Sequence, residues 1–270
     1  MTRRVGVDLP QSVRSTGTNN SQMAPKVDLS ARALSQLPPA DPAKKPVMRQ
    51  RWNDASFLHW PVDSTEVSSL IHPDLEPDVM SGSAWVGLVP FHMVDIGFPR
   101  GPRVPHFGTF PETNIRTYVV GPDGPGVWFS SLEAARFLPV LVARAGYRLP
   151  YFYAAMRIER SEDRITYNTI RRWPGAKGSG GTTRVVVGEA MEPSPLGNLV
   201  TARWRLYAES RGRLYSAEVR HPPWPLHRAA APIWDDELAR VAGYSPMVGD
   251  PHVMYSPGVP VEVFSPRRVS

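Results

Sequence analysis

The chain contains no cysteine, which excludes disulfides, thiolate metal sites and cysteine nucleophiles. Lysine is nearly as scarce: of 31 Lys and Arg residues, only Lys26, Lys44, Lys45 and Lys177 are lysine. The first three lie near the start. Lys177 sits in the Gly/Ser-rich stretch 175–181, a poor setting for the desolvated amine that Schiff-base chemistry needs. No run approaches the ~18–20 apolar residues of a membrane helix, and no apolar stretch follows Arg3-Arg4 as it would in a twin-arginine signal. The seven histidines show neither H-x-x-x-H nor H-x-H spacing, so no metal centre is expected. G-x-S-x-G and G-x-x-x-x-G-K-[ST] are also missing, which removes local support for a hydrolase triad or a phosphate loop. The expectation is a soluble cytoplasmic protein with no membrane span, no metal and no cofactor.

What is present divides the chain in two. The first aromatic residue is Trp52, and everything before it is rich in Ser, Thr, Pro and Ala. Such a segment cannot bury enough apolar surface to offset an ordering cost of roughly 1–2 kcal/mol per residue. Residues 1–48 are therefore expected to form a disordered basic tail, and residues 49–270 a single domain that holds all eight Trp. Residues 1–50 carry a net +5 of the chain's +6. The remainder is close to neutral, so bulk charge does not favour a nucleic-acid-binding core.

Periodicity and turn residues predict many short strands. Strands are expected over 56–60, 84–94, 112–120, 127–132, 149–159, 165–173, 183–189, 203–208, 213–221, 252–255 and 259–264. The 112–132 pair forms a hairpin around the Gly/Pro-rich 121–126, and Pro90 implies a break, an edge or a bulge in its strand. Helices are expected from Asp63 (with Glu66 completing a capping box) to Leu70, over 133–145, and from Asp235 to Gly243. Loop or a short helix is expected over 193–201. Strands at near-regular spacing with two or three helices predict a β-rich α+β fold, an antiparallel closed or partly open β-barrel.

The run Glu112 to Val119 alternates strictly. Glu112, Asn114, Arg116 and Tyr118 share one face of the strand, and Thr113, Ile115, Thr117 and Val119 the other. Facing water, this is an ordinary half-buried strand. Facing a lumen, it is a binding surface, in which Arg116 suits a carboxylate and a desolvated Glu112 has a raised pKa suited to acid–base work. Glu112 and Arg116 stand about 13 Å apart along an extended strand, so they cannot pair directly. His59 and His221, at strand ends, are further lumen candidates. The aromatics Tyr151 and Trp224 serve as core or as lining.

Several segments resemble the YqjF-like bacterial family of unknown function: 57–63, 85–91, 114–118, 126–132, 149–151, 213–215 and 221–226. They run in order across about 51–265. That family is similar in fold to acetoacetate decarboxylase, a β-barrel with a central ligand chamber. The resemblance implies that Glu112 corresponds to the decarboxylase's strand glutamate. The Leu149-Pro150-Tyr151-Phe152-Tyr153 stretch then occupies the neighbourhood of the catalytic lysine. Tyrosines stand there instead, so the barrel is expected to carry over and the Schiff-base mechanism is not.

The expected partner is a small anionic or carbonyl-bearing molecule. Arg116, Asn114, Tyr118, His221 and Trp224 are the candidate binding residues. Glu112, with His59 or Tyr151, is the candidate for proton transfer. Three readings stay open: a lysine-independent enzyme, a non-enzymatic binder or sensor, and a structural barrel with a filled lumen. Oligomeric state has no signal in the sequence.

Overall fold

The computed structural model describes residues 44–99, 101–104, 108–137, 149–235 and 237–269. The segment expected as a tail lies almost wholly outside the described residues, as does most of the expected 133–145 helix.

Thirteen strands join in one sheet, with three short helices among the described residues. The strands are β1 (Met48–Val62), β2 (Glu76–Pro77), β3 (Ala84–Gly97), β4 (Phe110–Gly121), β5 (Gly124–Ala134), β6 (Tyr151–Ser161), β7 (Arg164–Trp173), β8 (Gly180–Met191), β9 (Arg205–Ser210), β10 (Arg213–Arg220), β11 (Leu226–Ile233), β12 (His252–Val263) and β13 (Arg267–Arg268). The helices are α1 (Ser64–Leu70), α2 (Pro195–Thr201) and α3 (Glu237–Val241).

The fold is β-rich, as expected, but its pairing is not that of an even antiparallel ring. Five strands form a shared wall in the order β12-β1-β3-β4-β5. The wall forks at both ends. β5 pairs in parallel with β9 near its start and with β6 near its end. β12 pairs with β11 at Met254 and Tyr255 and with β10 at Glu262 and Val263. One branch, β6-β7-β8-β11, and another, β9-β10, thus bridge the same two strands.

Local chemistry explains most boundaries. The Asp63 side chain caps α1 by accepting from the Thr65 N–H at 2.7 Å. The capping box is not reciprocal, however, because Glu66 accepts instead from the Ser245 N–H of a distant loop. Ser194 caps α2 through the Gly197 N–H at 3.0 Å, with Pro195 in the first turn, where its missing N–H costs nothing. Pro90 does not break β3. The β1–β3 register shifts between Asn53 and Leu58, opposite Pro90, and Asp54 takes φ 48° there. The bulge stands where proline has no N–H to offer.

One expected helix start is overturned. Glu133 continues β5, paired with Thr113 and Phe152, and is fully buried. A carboxylate in the first turn is a fair helix signal, but here burial of Leu132 and Ala134 and pairing on both edges prevail.

β4 lies in the middle of the shared wall, and neither of its faces meets water. Ile115 and Val119 pack into a core with Leu58, Trp60, Val86, Leu88, Ile165 and Val185, which fills the space on the β6–β8 side. The face carrying Glu112 turns the other way, toward the β9–β10 branch.

Candidate functional site

On that side the sheet encloses a cavity of about 520 Å³. β4 contributes Phe110, Glu112, Asn114 and Arg116 at successive alternate positions. β1 and β3 flank it with apolar residues on the same period, among them Trp52, Phe91 and Met93. Loops and neighbouring strands add Tyr151, Arg203, His221 and Trp224. Of the residues singled out from the sequence, Glu112, Asn114, Arg116, Tyr151, His221 and Trp224 come together here. His59 and Tyr118 do not line the cavity.

Arg116 is the electrostatic centre. Its residue is 8% exposed, and no carboxylate lies within ion-pair distance among the described residues. Nε has no hydrogen-bond partner. The guanidinium rests over the ring of Phe57 at 5.4 Å and that of Tyr118 at 6.0 Å, contacts that only partly offset the loss of water around a charge. Asn114, next along the same face, keeps an unpartnered buried Oδ1.

Glu112 is 3% exposed, and burial pushes its carboxyl up to about 8, against the smaller opposing effects of the Tyr151 hydrogen bond and the Arg116 charge. The Tyr151 hydroxyl donates to Glu112 Oε2 at 3.1 Å. At neutral pH the group is a neutral acid. A carboxyl with a folded pKa above its unfolded value binds protons more tightly when folded, so stability falls as pH rises from about 4.5 to about 8. Glu112→Gln is therefore expected to flatten this dependence and to make the protein relatively more stable at pH 9 than at pH 5. Urea unfolding of both proteins at the two pH values measures it; parallel pH profiles would remove Glu112 from this role.

His59 and Tyr118 form a plug behind Arg116. His59 Nε2 and the Tyr118 hydroxyl share a 2.6 Å hydrogen bond, and both residues are fully buried. Desolvation, then the charges of Arg116 and His252, hold His59 well below its usual pKa, so it is neutral. Its ring lies on the bare backbone of Gly87, where a Cβ would come within 2.6 Å of Nε2. Along β3, the positions facing His59 and Glu112 are Gly87 and Phe91, about 13 Å apart. The register thus puts His59 level with Arg116 and four residues away from the level of Glu112. Burial likewise lowers the pKa of His221, whose Nδ1 lies 2.8 Å from the Pro222 carbonyl.

Four polar contributors were not anticipated: Gln50, Thr201, Arg203 and Arg205. Arg203 follows α2, pairs with Asp78 at 2.7 Å and lies 5.4 Å from the Tyr118 ring. Gln50, on β1, is 7% exposed and lines the cavity. Arg203 read as the first residue of an expected strand, whereas β9 starts at Arg205, and Gln50 fell at the edge of the expected tail. No lysine lines the cavity among the described residues. No group of three or more His, Asp or Glu capable of holding a metal occurs among the described residues. No described helix is long and apolar enough to cross a membrane.

Residues 49–260 match the family DUF2071, whose description is an uncharacterized conserved protein. The chain belongs to that family. It is 36% identical over 211 residues to the uncharacterized protein YqjF of Bacillus subtilis (strain 168), covering 78% of this chain and 87% of YqjF. Among solved structures it is similar to the enduracididine biosynthesis enzyme MppR complexed with the condensation product of pyruvate and imidazole 4-carboxaldehyde. That likeness has TM-score 0.59 and 14% identity, over 84% of this chain and 90% of MppR. It is also similar to acetoacetate decarboxylase from Legionella pneumophila, with TM-score 0.56 and 13% identity, over 84% of this chain and 88% of the decarboxylase. Both likenesses establish an acetoacetate decarboxylase-like fold; at such identities they bear on the fold alone. The resemblance to the YqjF-like family thus holds at the level of sequence, and the decarboxylase likeness at the level of architecture.

Proposed function

We propose that this DUF2071 protein binds a small organic carboxylate in a barrel lumen formed by β9, β10 and the shared wall. The observation that carries the reading is Arg116: a buried guanidinium beside a cavity of about 520 Å³, with no carboxylate in ion-pair distance among the described residues. A charge held out of water without a counter-ion is costly in the empty protein. An anionic ligand supplies the missing partner, and the planar guanidinium fork fits a carboxylate in two-point contact. Asn114 adds an amide to the same face. The named ligand of MppR, a pyruvate-derived condensation product, is of compatible chemistry.

Glu112 gives the lumen a second capability. A neutral carboxylic acid adjacent to a bound carbonyl can donate a hydrogen bond or a proton, and its conjugate base can accept one back. Tyr151 holds one carboxyl oxygen and orients the other. The reaction class compatible with these groups is proton transfer next to a carbonyl, such as enolisation. Neither a Schiff base nor a metal is required for it. Tyr151 takes the place that the resemblance assigns to a lysine, so the amine chemistry of the decarboxylases is not part of this reading.

The test is a thermal-shift titration of the full chain with paired ligands, carboxylates against amides and alcohols of the same carbon skeleton. Saturation at 100 times the Kd adds about 2.7 kcal/mol of native-state stability, and the carboxylates alone are expected to deliver it. Their affinity is expected to fall above about pH 8, where Glu112 ionises in the same cavity as the bound anion. Equal shifts from charged and neutral members would remove Arg116 from the anchoring role.

A further inference from the structure

We propose that the occupant of this lumen is an elongated amphipathic carboxylate, an aryl- or alkyl-substituted acid well beyond the size of a three-carbon keto acid. This occupant presupposes the carboxylate reading of Arg116 and specifies the rest of the molecule.

The depth of the site follows from strand register. Phe110 faces Met93 on β3, and Met93 faces Trp52 on β1, so these three mark one level of the lumen. Arg116 faces Gly87, six residues along β4, which at about 3.3 Å per residue puts it about 20 Å from the Phe110 level. Behind Arg116 the buried Tyr118–His59 pair closes the deep end. At the opposite end Ile96 and Phe98 extend the lining, and Phe98 is 68% exposed, so among the described residues the lumen opens there. The charge is at the floor and the entrance is apolar.

Between them a continuous aromatic track runs along one side, while β4 adds Glu112 and Asn114 over the same interval. Trp52 stacks on Trp224 with ring centroids 6.0 Å apart and planes at 19°. Trp224 meets Phe57 edge-on at 5.1 Å. Phe57 lies 5.4 Å beneath the Arg116 guanidinium. Such a surface gives water few partners, and a buried water needs two to four. A pyruvate-sized acid on Arg116 would leave most of the 520 Å³ facing hydrocarbon and indole. Sites that enclose ligands of drug-like size span about 300–1,000 Å³, and this lumen falls in that range. The molecule that satisfies both ends carries its carboxylate inward and an apolar body back toward Trp52.

The experiment is isothermal titration of the full chain with straight-chain acids from acetate to decanoate, with 3-phenylpropanoate and with the matching 1-alkanols. Arg116→Met is run beside the wild type. The expected result is affinity rising about fourfold per added methylene, at least from butanoate to octanoate, corresponding to about 0.8 kcal/mol per buried CH2. 3-Phenylpropanoate is expected to bind at least tenfold tighter than propanoate. Each alcohol should bind at least tenfold more weakly than its acid, and Arg116→Met should erase that difference. Acids that bind with no dependence on chain length overturn the elongated class while leaving an anion-binding lumen in place. Alcohols that match their acids, or acids whose binding survives Arg116→Met, overturn both readings, as does the absence of binding by any acid.

Discussion

Arg116→Met is expected to abolish the stabilisation by carboxylates and, in the ligand-free protein, to raise the melting temperature. Two opposite effects of one substitution follow from one cause. Without a ligand the guanidinium is buried with an unpartnered Nε and, among the described residues, no carboxylate in ion-pair distance. Methionine fills similar space beside Phe57 without a charge to desolvate, so removing the charge relieves a cost. The lost cation–aromatic contacts, about 0.5–2 kcal/mol, reduce the gain. In the bound state the same substitution strands the ligand's carboxylate. Truncating one member of a buried charge pair costs about 2–5 kcal/mol, or roughly 30-fold or more in affinity. Differential scanning calorimetry with and without ligand reads both effects. A variant that loses stability when empty yet keeps its affinity would make Arg116 a structural residue and end the proposal.

A second large effect is expected on the filled side of the wall. Arg171 Nε donates to Glu133 Oε2 at 3.1 Å and Nη2 to Oε1 at 2.6 Å, with a further 2.8 Å bond to Ser131 Oγ. The guanidinium also lies 3.7 Å from the centroid of Phe152. Side-chain exposure is 4% for Arg171 and 0% for Glu133. Removing either partner alone, by Glu133→Gln or Arg171→Met, strands the other without water, so each single change is expected to cost about 3–5 kcal/mol. The double change Glu133→Met with Arg171→Met leaves no orphan charge and is expected to recover most of that loss. Guanidinium chloride unfolding of the four proteins tests it. A double variant whose loss equals the sum of the singles would show that the two charges act independently. Ligand affinity should stay unchanged in the double variant, because Glu133 and Arg171 do not line the lumen.

The contrast between Arg116 and Arg171 separates what is legible in a sequence from what is not. Both are arginines on strands of alternating pattern. Arg116 stood out because three polar neighbours shared its face, and the structure turns that face to the cavity. Arg171 stood out in no way, since its partner Glu133 read as the first turn of a helix. The feature that distinguishes them, a carboxylate 38 residues away, exists only after β5 and β7 are brought together. His59 shows the reverse. Its place at a strand end suggested the lumen, yet one residue type on a neighbouring strand, Gly87, makes room for its ring behind Tyr118.

Residue census, turn chemistry and period-2 alternation were enough, from the sequence alone, to establish a β-rich chain, the β4–β5 hairpin, the shared face of Glu112, Asn114 and Arg116, and the lack of a lysine on any expected strand or helix of the domain. These are local properties: they depend on which residues are neighbours along the chain. Tertiary structure alone decided that both faces of β4 are buried, that the sheet forks at β5 and β12, and that one side of the wall is packed while the other is hollow. Among the described residues it also left Arg116 without a carboxylate in ion-pair distance and gave Arg171 a counter-ion. Those outcomes depend on which distant strands meet, and a strand's own pattern says that its two faces differ without saying what each will face.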